Sequence, residues 1–241
     1  MANPVLTRTF DTEHPQWLDE DVLQRQTAGA MTVEGTISKT LSLFGILAVT
    51  AAITWFTNAL VLLIPALIGA LALGLWATFS KKTRPGVMMA YAAFEGVVLA
   101  GISIVFNNAY PGVAFQAVAA TLGTSTIIFV AYTQRWIRVT SRMRQFVMFG
   151  LLGYLAFSLI NMFFAWGGNS VYSSQFGWLI GLFGVGLACF TLLTDFADID
   201  EGVAARAPQD YEWRAAFGLM VTLVWMYTEI LRLLAILRGR D

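Results

Sequence analysis

The sequence predicts an all-α integral membrane protein with seven transmembrane helices. Three observations carry this. Hydrophobic residues make up 57% of the 241 positions and charged residues only 12%, with mean hydropathy +0.66, which no soluble domain needs. Seven apolar stretches each approach the roughly 20 residues that cross a bilayer as helix. Basic residues are concentrated in alternate connections between these stretches, as a fixed orientation in a membrane requires.

Taken in order, residues 1–35 are polar and acid-rich: Asp11, Glu13, Asp19, Glu20, Asp21 and Glu34 stand against Arg8 and Arg25. They are expected to form a cytoplasmic tail, with a short helix over 17–26 as an alternative. The stretch lacks a basic start, a short apolar run and a small-residue cleavage site, so no cleavable signal peptide is expected. The transmembrane domain is expected over 36–237, with segments at 37–56, 60–79, 87–106, 113–132, 146–166, 177–196 and 215–237, followed by a short tail at 238–241. Lys39 stands at the mouth of the first segment, where it can snorkel to the interface.

The connection after the second segment holds Lys81, Lys82 and Arg84. The connection after the fourth holds Arg135, Arg138, Arg142 and Arg144, and that after the sixth holds Arg206 and Arg214. The intervening connections, around Asn58, from Asn107 to Gly112 and over 167–175, contain no charge. The positive-inside rule then puts the N-terminus in the cytoplasm and the C-terminus outside, although the closing Arg238 and Arg240 favour the inside, so either the early loops dominate or the final segment is re-entrant. Trp55, Trp76, Trp166 and Trp178 fall near segment ends, as interfacial anchors do. Gly177, Gly181 and Gly184, with Gly150 and Gly153, have the small-residue spacing of closely packed membrane helices.

His14, the sole histidine, lies in the tail, and Cys189, the sole cysteine, lies among apolar residues. An internal disulfide, a zinc site built from His pairs and Ser/His catalysis within the membrane are therefore excluded. The chemistry falls to carboxylates. An acid within an apolar helix costs about 2.5–3.5 kcal/mol on insertion scales, which marks it as a candidate functional group. Glu95 in the third segment, Asp195 ending the sixth and Glu229 in the seventh are such acids. Arg232, three residues beyond Glu229, shares its helix face and is a candidate counter-charge. Asp198, Asp200 and Glu201 continue the sixth segment as a secondary, solvated acidic end. Two carboxyls forced together in a low dielectric do not both ionise cheaply, so they titrate as a unit and can share a proton between helices. Deprotonated, their oxygens are hard ligands suited to calcium.

The pattern L-x-D-F-x-x-I-D-E-G over 193–202, then Asp210-Tyr211-Glu212-Trp213, and M-Y-T-E-I-L-R-L-L over 226–234, resemble the Bax inhibitor / YccA family of membrane proteins in its bacterial branch. The similarity spans all seven segments. The resemblance implies a last helix held centrally between two three-helix layers, and a pH-sensitive calcium leak governed by acids on the sixth and seventh helices. Carried over, Asp195 matches the sixth-helix acid and Glu229 is the best match for the seventh by local pattern, both as pH sensors and as transient calcium contacts. Two features depart from the pattern. The seventh-helix acid is Glu rather than Asp, with an arginine one turn on, and 34 positions separate Asp195 from Glu229. At 1.5 Å per residue Glu229 lies roughly 20 Å above the start of its segment, whereas Asp195 is within about 10 Å of the cytoplasmic end and Glu95 about 12 Å from it. The partner of Asp195 is thus either Glu229, through tilted or broken helices, or Glu95.

The leading functional expectation is a proton-gated calcium or cation leak in the plasma (inner) membrane, non-enzymatic and without a cofactor, with calcium as the permeant ion. The alternative is a non-conducting regulator that binds a membrane protease or stress-response partner. An intramembrane aspartyl protease is disfavoured because its G-x-G-D motif is absent, and a retinal receptor because the seventh segment has no lysine. The bilayer, protons and cations are the expected partners, with no nucleic acid.

Overall fold

The computed structural model describes residues 29–80, 82–166, 171–173 and 176–239. The expected tail over 1–28, including the alternative helix at 17–26, lies outside the described residues, as do Lys81, Arg240 and the side chain of Trp166. Seven helices long and apolar enough to cross a membrane follow one another: α1 (Val33–Thr57), α2 (Leu63–Phe79, entered through a short 3-10 turn at Leu60–Leu62), α3 (Pro85–Ala109), α4 (Val113–Thr133), α5 (Ser141–Trp166), α6 (Gly177–Ala204) and α7 (Tyr211–Arg238).

Local chemistry sets the ends. Thr32 caps α1, its hydroxyl accepting from Gly35 N at 2.9 Å, and Glu34 in the first turn complements the helix dipole. Pro85 opens α3 at the position where its missing N–H costs nothing. Asn58, Arg135 and Arg206 follow α1, α4 and α6 with positive φ, a left-handed turn that lets the next backbone N–H reach back to close the helix.

Several helices extend beyond the apolar runs. Helix α1 starts at Val33, α5 at Ser141 and α7 at Tyr211, while α6 runs on to Ala204. Polar residues at these ends stay helical because their neighbours supply partners: Asp198, Asp200 and Glu201 lie on the last turns of α6, not beyond it. Arg144 at the start of α5 bridges Asp198 (2.7 Å) and Glu201 (2.6 Å), and Tyr132 of α4 donates to Asp200 (2.6 Å).

Helix α7 has the largest buried share of the seven, and it packs against α1, α3, α4 and α6. Its apolar buried residues, among them Met220, Met226 and Leu231, join two core clusters, one with α4 and α6 and one with α1 and α3. The hydroxyls of Ser103 and Tyr227 meet at 2.7 Å, pinning α3 to α7. Helices α2 and α5 instead present large apolar side chains outward, as a lipid-facing surface does.

The glycine pattern of α6 works as expected. A Cβ at Gly181 would lie 3.3 Å from Leu233 of α7, and Gly150 of α5 meets Leu187 of α6, whereas Gly153 faces open space.

Two features at the start of α7 were not anticipated. Residues 29–31 form a short bridge to the α6–α7 turn, with Met31 N donating to Ala207 O (2.8 Å) and Gln209 N to Gly29 O (2.8 Å). Glu212, 1% exposed, accepts from the Thr32 amide (2.8 Å) and hydroxyl (3.0 Å) and pairs with Lys39. Lys39 therefore neutralises a buried carboxylate rather than reaching for the interface. At the opposite end Arg238 donates to the carbonyl of Pro111 at 2.6 Å, so this arginine closes the α3–α4 turn.

Candidate functional site

The sequence-derived acids separate into two sites along α7. The first is a cavity of about 590 Å³ bounded by α2, α3, α6 and α7. Glu95 of α3 and Asp195 of α6 both line it, within walls otherwise built of residues such as Ala70, Met88, Val98 and Phe217. Glu95 reaches the wall because it lies one turn beyond Tyr91, whose hydroxyl engages its carboxyl. Asp195 lies on the face of α6 turned to the cavity and α7, where Thr222 engages its carboxyl. Its Oδ2 is buried with no hydrogen-bond partner among the described residues. Arg214, at the start of α7, also lines the cavity, and its guanidinium donates to Ser80 O and Thr83 Oγ1, each at 2.9 Å.

A buried carboxyl oxygen without a donor is costly when ionised, because nothing replaces the water it has lost. The carboxyl has two inexpensive states: protonated, or ionised with a cation or water drawn into the cavity. Glu95 of α3 lines the same cavity as a second carboxyl.

The second site surrounds Glu229, which is 2% exposed. Its Oε2 accepts from the Tyr154 hydroxyl of α5 (2.7 Å) and its Oε1 from Trp225 Nε1 one turn earlier (3.1 Å). Arg232 Nη1 lies 3.0 and 3.1 Å from the two oxygens. The same nitrogen is 3.1 Å from the hydroxyl of Tyr172, a residue of the α5–α6 connection over whose ring the guanidinium stacks at 4.6 Å. Glu229 is thus an ion-paired, fully solvated-by-protein carboxylate, the opposite of Asp195.

These two sites do not merge. Gly184 marks the level of Glu229 on α6, since a Cβ there would lie 2.7 Å from Glu229 Oε2. Asp195 is eleven residues further along the same helix, about 16 Å at 1.5 Å per residue. Of the two partners expected for Asp195, Glu229 lies a distance along the helices too great for contact: on α7 the side chain facing Asp195 is Thr222, and the acid that shares its cavity is the other expected partner, Glu95 of α3. Arg232 holds the expected place as counter-charge to Glu229. Asp198 and Glu201 are surface groups held by Arg144, and Asp200 by Tyr132. Among the described residues no three His, Cys, Asp or Glu side chains gather into a metal cluster, and both oxygens of Glu229, an expected calcium contact, are held by Tyr154, Trp225 and Arg232.

Thr222 and Tyr91 were missed from sequence. Hydroxyls inside apolar helices carry little signal, because they satisfy themselves on their own backbone, as Thr50, Thr121 and Thr191 do here. A count back from Asp195 to the same depth on α7 would have reached the neighbourhood of Thr222.

No curated protein matches the chain. The sequence model for the family described as Bax inhibitor 1 like does match, over residues 3–239, and with seven membrane-spanning helices in that interval the chain belongs to the Bax inhibitor 1 like family.

Proposed function

We propose that the protein is a proton-gated cation leak, with calcium as its principal ion, in which Asp195 and Glu95 are the titrating pair. The observation that carries the reading is the Asp195 oxygen buried without a donor in a cavity that a second carboxyl shares. With both carboxyls protonated neither repels the other or draws in a cation, and the helices can stay closed around the cavity. Loss of the protons places two like charges in one low-dielectric space, where they repel each other and attract a hard divalent cation. Cation entry therefore rises with pH. Thr222 lends a hydrogen bond to the ionised form of Asp195, and the Glu229–Arg232 cluster closes the half of the bundle beyond the cavity. In this reading the protein lies in the plasma (inner) membrane with its N-terminus in the cytoplasm, which puts the cavity nearer the cytoplasmic face.

The test is calcium entry into proteoliposomes holding the purified protein, from about pH 5 to pH 8, so that successive proton losses from an interacting pair can be read. Wild type should show entry that increases with pH, and Asp195→Asn should show entry that no longer depends on pH. Entry no greater than in protein-free liposomes at every pH overturns the reading and leaves the non-conducting regulator in its place.

A further inference from the structure

The fold leaves a second cleft that the acid pair does not use. It has a volume of about 780 Å³ and lies between α1, α4 and α6 at the end of the bundle where α1 begins. Its inner walls are apolar, built from Val33 and Ile37 of α1, Phe129 of α4, Phe196 of α6 and Leu219 of α7. Its rim carries Arg135 and Arg138 from the α4–α5 connection.

Both arginines are exposed, and neither guanidinium forms a hydrogen bond or an ion pair with a described residue, the Arg135 backbone N–H alone donating to Tyr132 O at 2.9 Å. Two carboxylates also face the cleft: Glu201 is paired with Arg144 at 2.6 Å, and Asp200, which keeps its charge, accepts from the Tyr132 hydroxyl at 2.6 Å and forms no ion pair with either rim arginine. The two guanidiniums are the groups at this rim left to meet a ligand. Between them Trp136 is 74% exposed and Ile137 39%, an aromatic and aliphatic pair that follows the last residue of the spanning helix α4, Thr133, where interfacial residues are enriched.

The backbone adds an independent mark. Arg135 occupies the left-handed position that closes α4, with φ 58°, and Trp136 N donates back to Ala131 O at 3.0 Å. Glycine is the inexpensive residue there, and an L side chain in that conformation is strained. A strained position that holds an unpaired cation over an apolar cleft points to a ligand.

We infer that this cleft binds an anionic phospholipid, its phosphate held by Arg135 and Arg138 and one acyl chain lying between α1 and α4. Charge, depth and apolar lining each match one part of that molecule. Basic pockets between membrane helices recognise anionic headgroups in this way.

The experiment measures binding of phosphatidylglycerol carrying a fluorescent acyl tail to the full-length protein in a nonionic detergent, by anisotropy, with unlabelled competitors. Unlabelled phosphatidylglycerol should compete, whereas phosphatidylcholine of the same chains and inorganic phosphate should not. Arg135→Gly with Arg138→Gln should weaken binding by roughly thirtyfold, at roughly fivefold for each arginine near a phosphate. Because glycine relieves the strain at 135, this variant should melt no lower than wild type. If it does melt lower, Arg138→Gln alone must still show its fivefold loss. Arg142→Gln, an exposed arginine that does not line the cleft, should bind as wild type does. Equal competition by phosphatidylcholine, displacement by inorganic phosphate, or an equal loss in Arg142→Gln would each overturn the assignment.

Discussion

Replacing Arg232 by methionine should be among the most damaging single substitutions in the membrane domain. It keeps the volume of the stem but leaves Glu229, 2% exposed, without its cation. Removing one partner of a buried ion pair typically costs about 3–5 kcal/mol, because the remaining charge is stranded rather than merely unpaired. Tyr154 and Trp225 still donate to Glu229, at 2.7 and 3.1 Å, and the Arg232 side chain is 33% exposed, so the lower end, about 3 kcal/mol, applies. On the scale of soluble proteins of this size that is a fall in Tm of about 6–12 °C. Glu229→Gln should cost less, about 1–2 kcal/mol, since the amide oxygen still accepts from Tyr154 and no charge is stranded on the carboxylate side. The double replacement Glu229→Gln with Arg232→Met should recover much of the loss, because neither charge is then left stranded. Thermal unfolding in detergent, followed by tryptophan fluorescence and arranged as a double-mutant cycle, reads all three. If Arg232→Met melts within a degree of wild type, or the double variant falls by the sum of the singles, the pair does not hold α7 to α5 and the α5–α6 connection as described.

The remaining expectations are independent of that cluster. Cysteines at 95 and 195, in a background with Cys189 replaced by serine, should be joined by a short bifunctional thiol reagent, whereas cysteines at 195 and 229 should not; the reverse pattern would restore the pairing that the sequence motif suggested. Thr222→Val, which removes the hydroxyl at nearly constant volume, withdraws a hydrogen bond from ionised Asp195, so the midpoint of pH-dependent calcium entry should move to higher pH; an unmoved midpoint would exclude Thr222 from the site. In most helices Gly→Ala is favourable by about 1 kcal/mol, but Gly35→Ala would drive its Cβ into the Glu212 carboxylate and should lower Tm, whereas Gly45→Ala on the same helix meets nothing within 4 Å and should not.

The membrane class, the seven helices and the family were legible in the sequence because each rests on local chemistry. An apolar run long enough to span a bilayer must satisfy its backbone internally, so length and hydropathy alone define it. The pairing of Glu229 with Arg232 was legible for the same reason: a separation of three on one helix requires no knowledge of neighbours. Depth along a helix was partly legible too, and counting residues from the cytoplasmic ends raised Glu95 as a rival partner for Asp195.

Only the tertiary structure decided which faces meet. Helix rotation and tilt depend on packing against neighbours, and a shift of one residue turns a side chain by about 100°. That rotation sets Asp195 against Thr222 and turns it into the cavity lined by Glu95, while Glu229 faces Tyr154 of α5. It also buries Glu212 against Lys39 and Thr32, partners 173 and 180 positions away, where the sequence pattern suggested an ordinary interfacial lysine. Apolar periodicity has no power to foresee such contacts, because in lipid both the inner and the outer face of a helix are apolar.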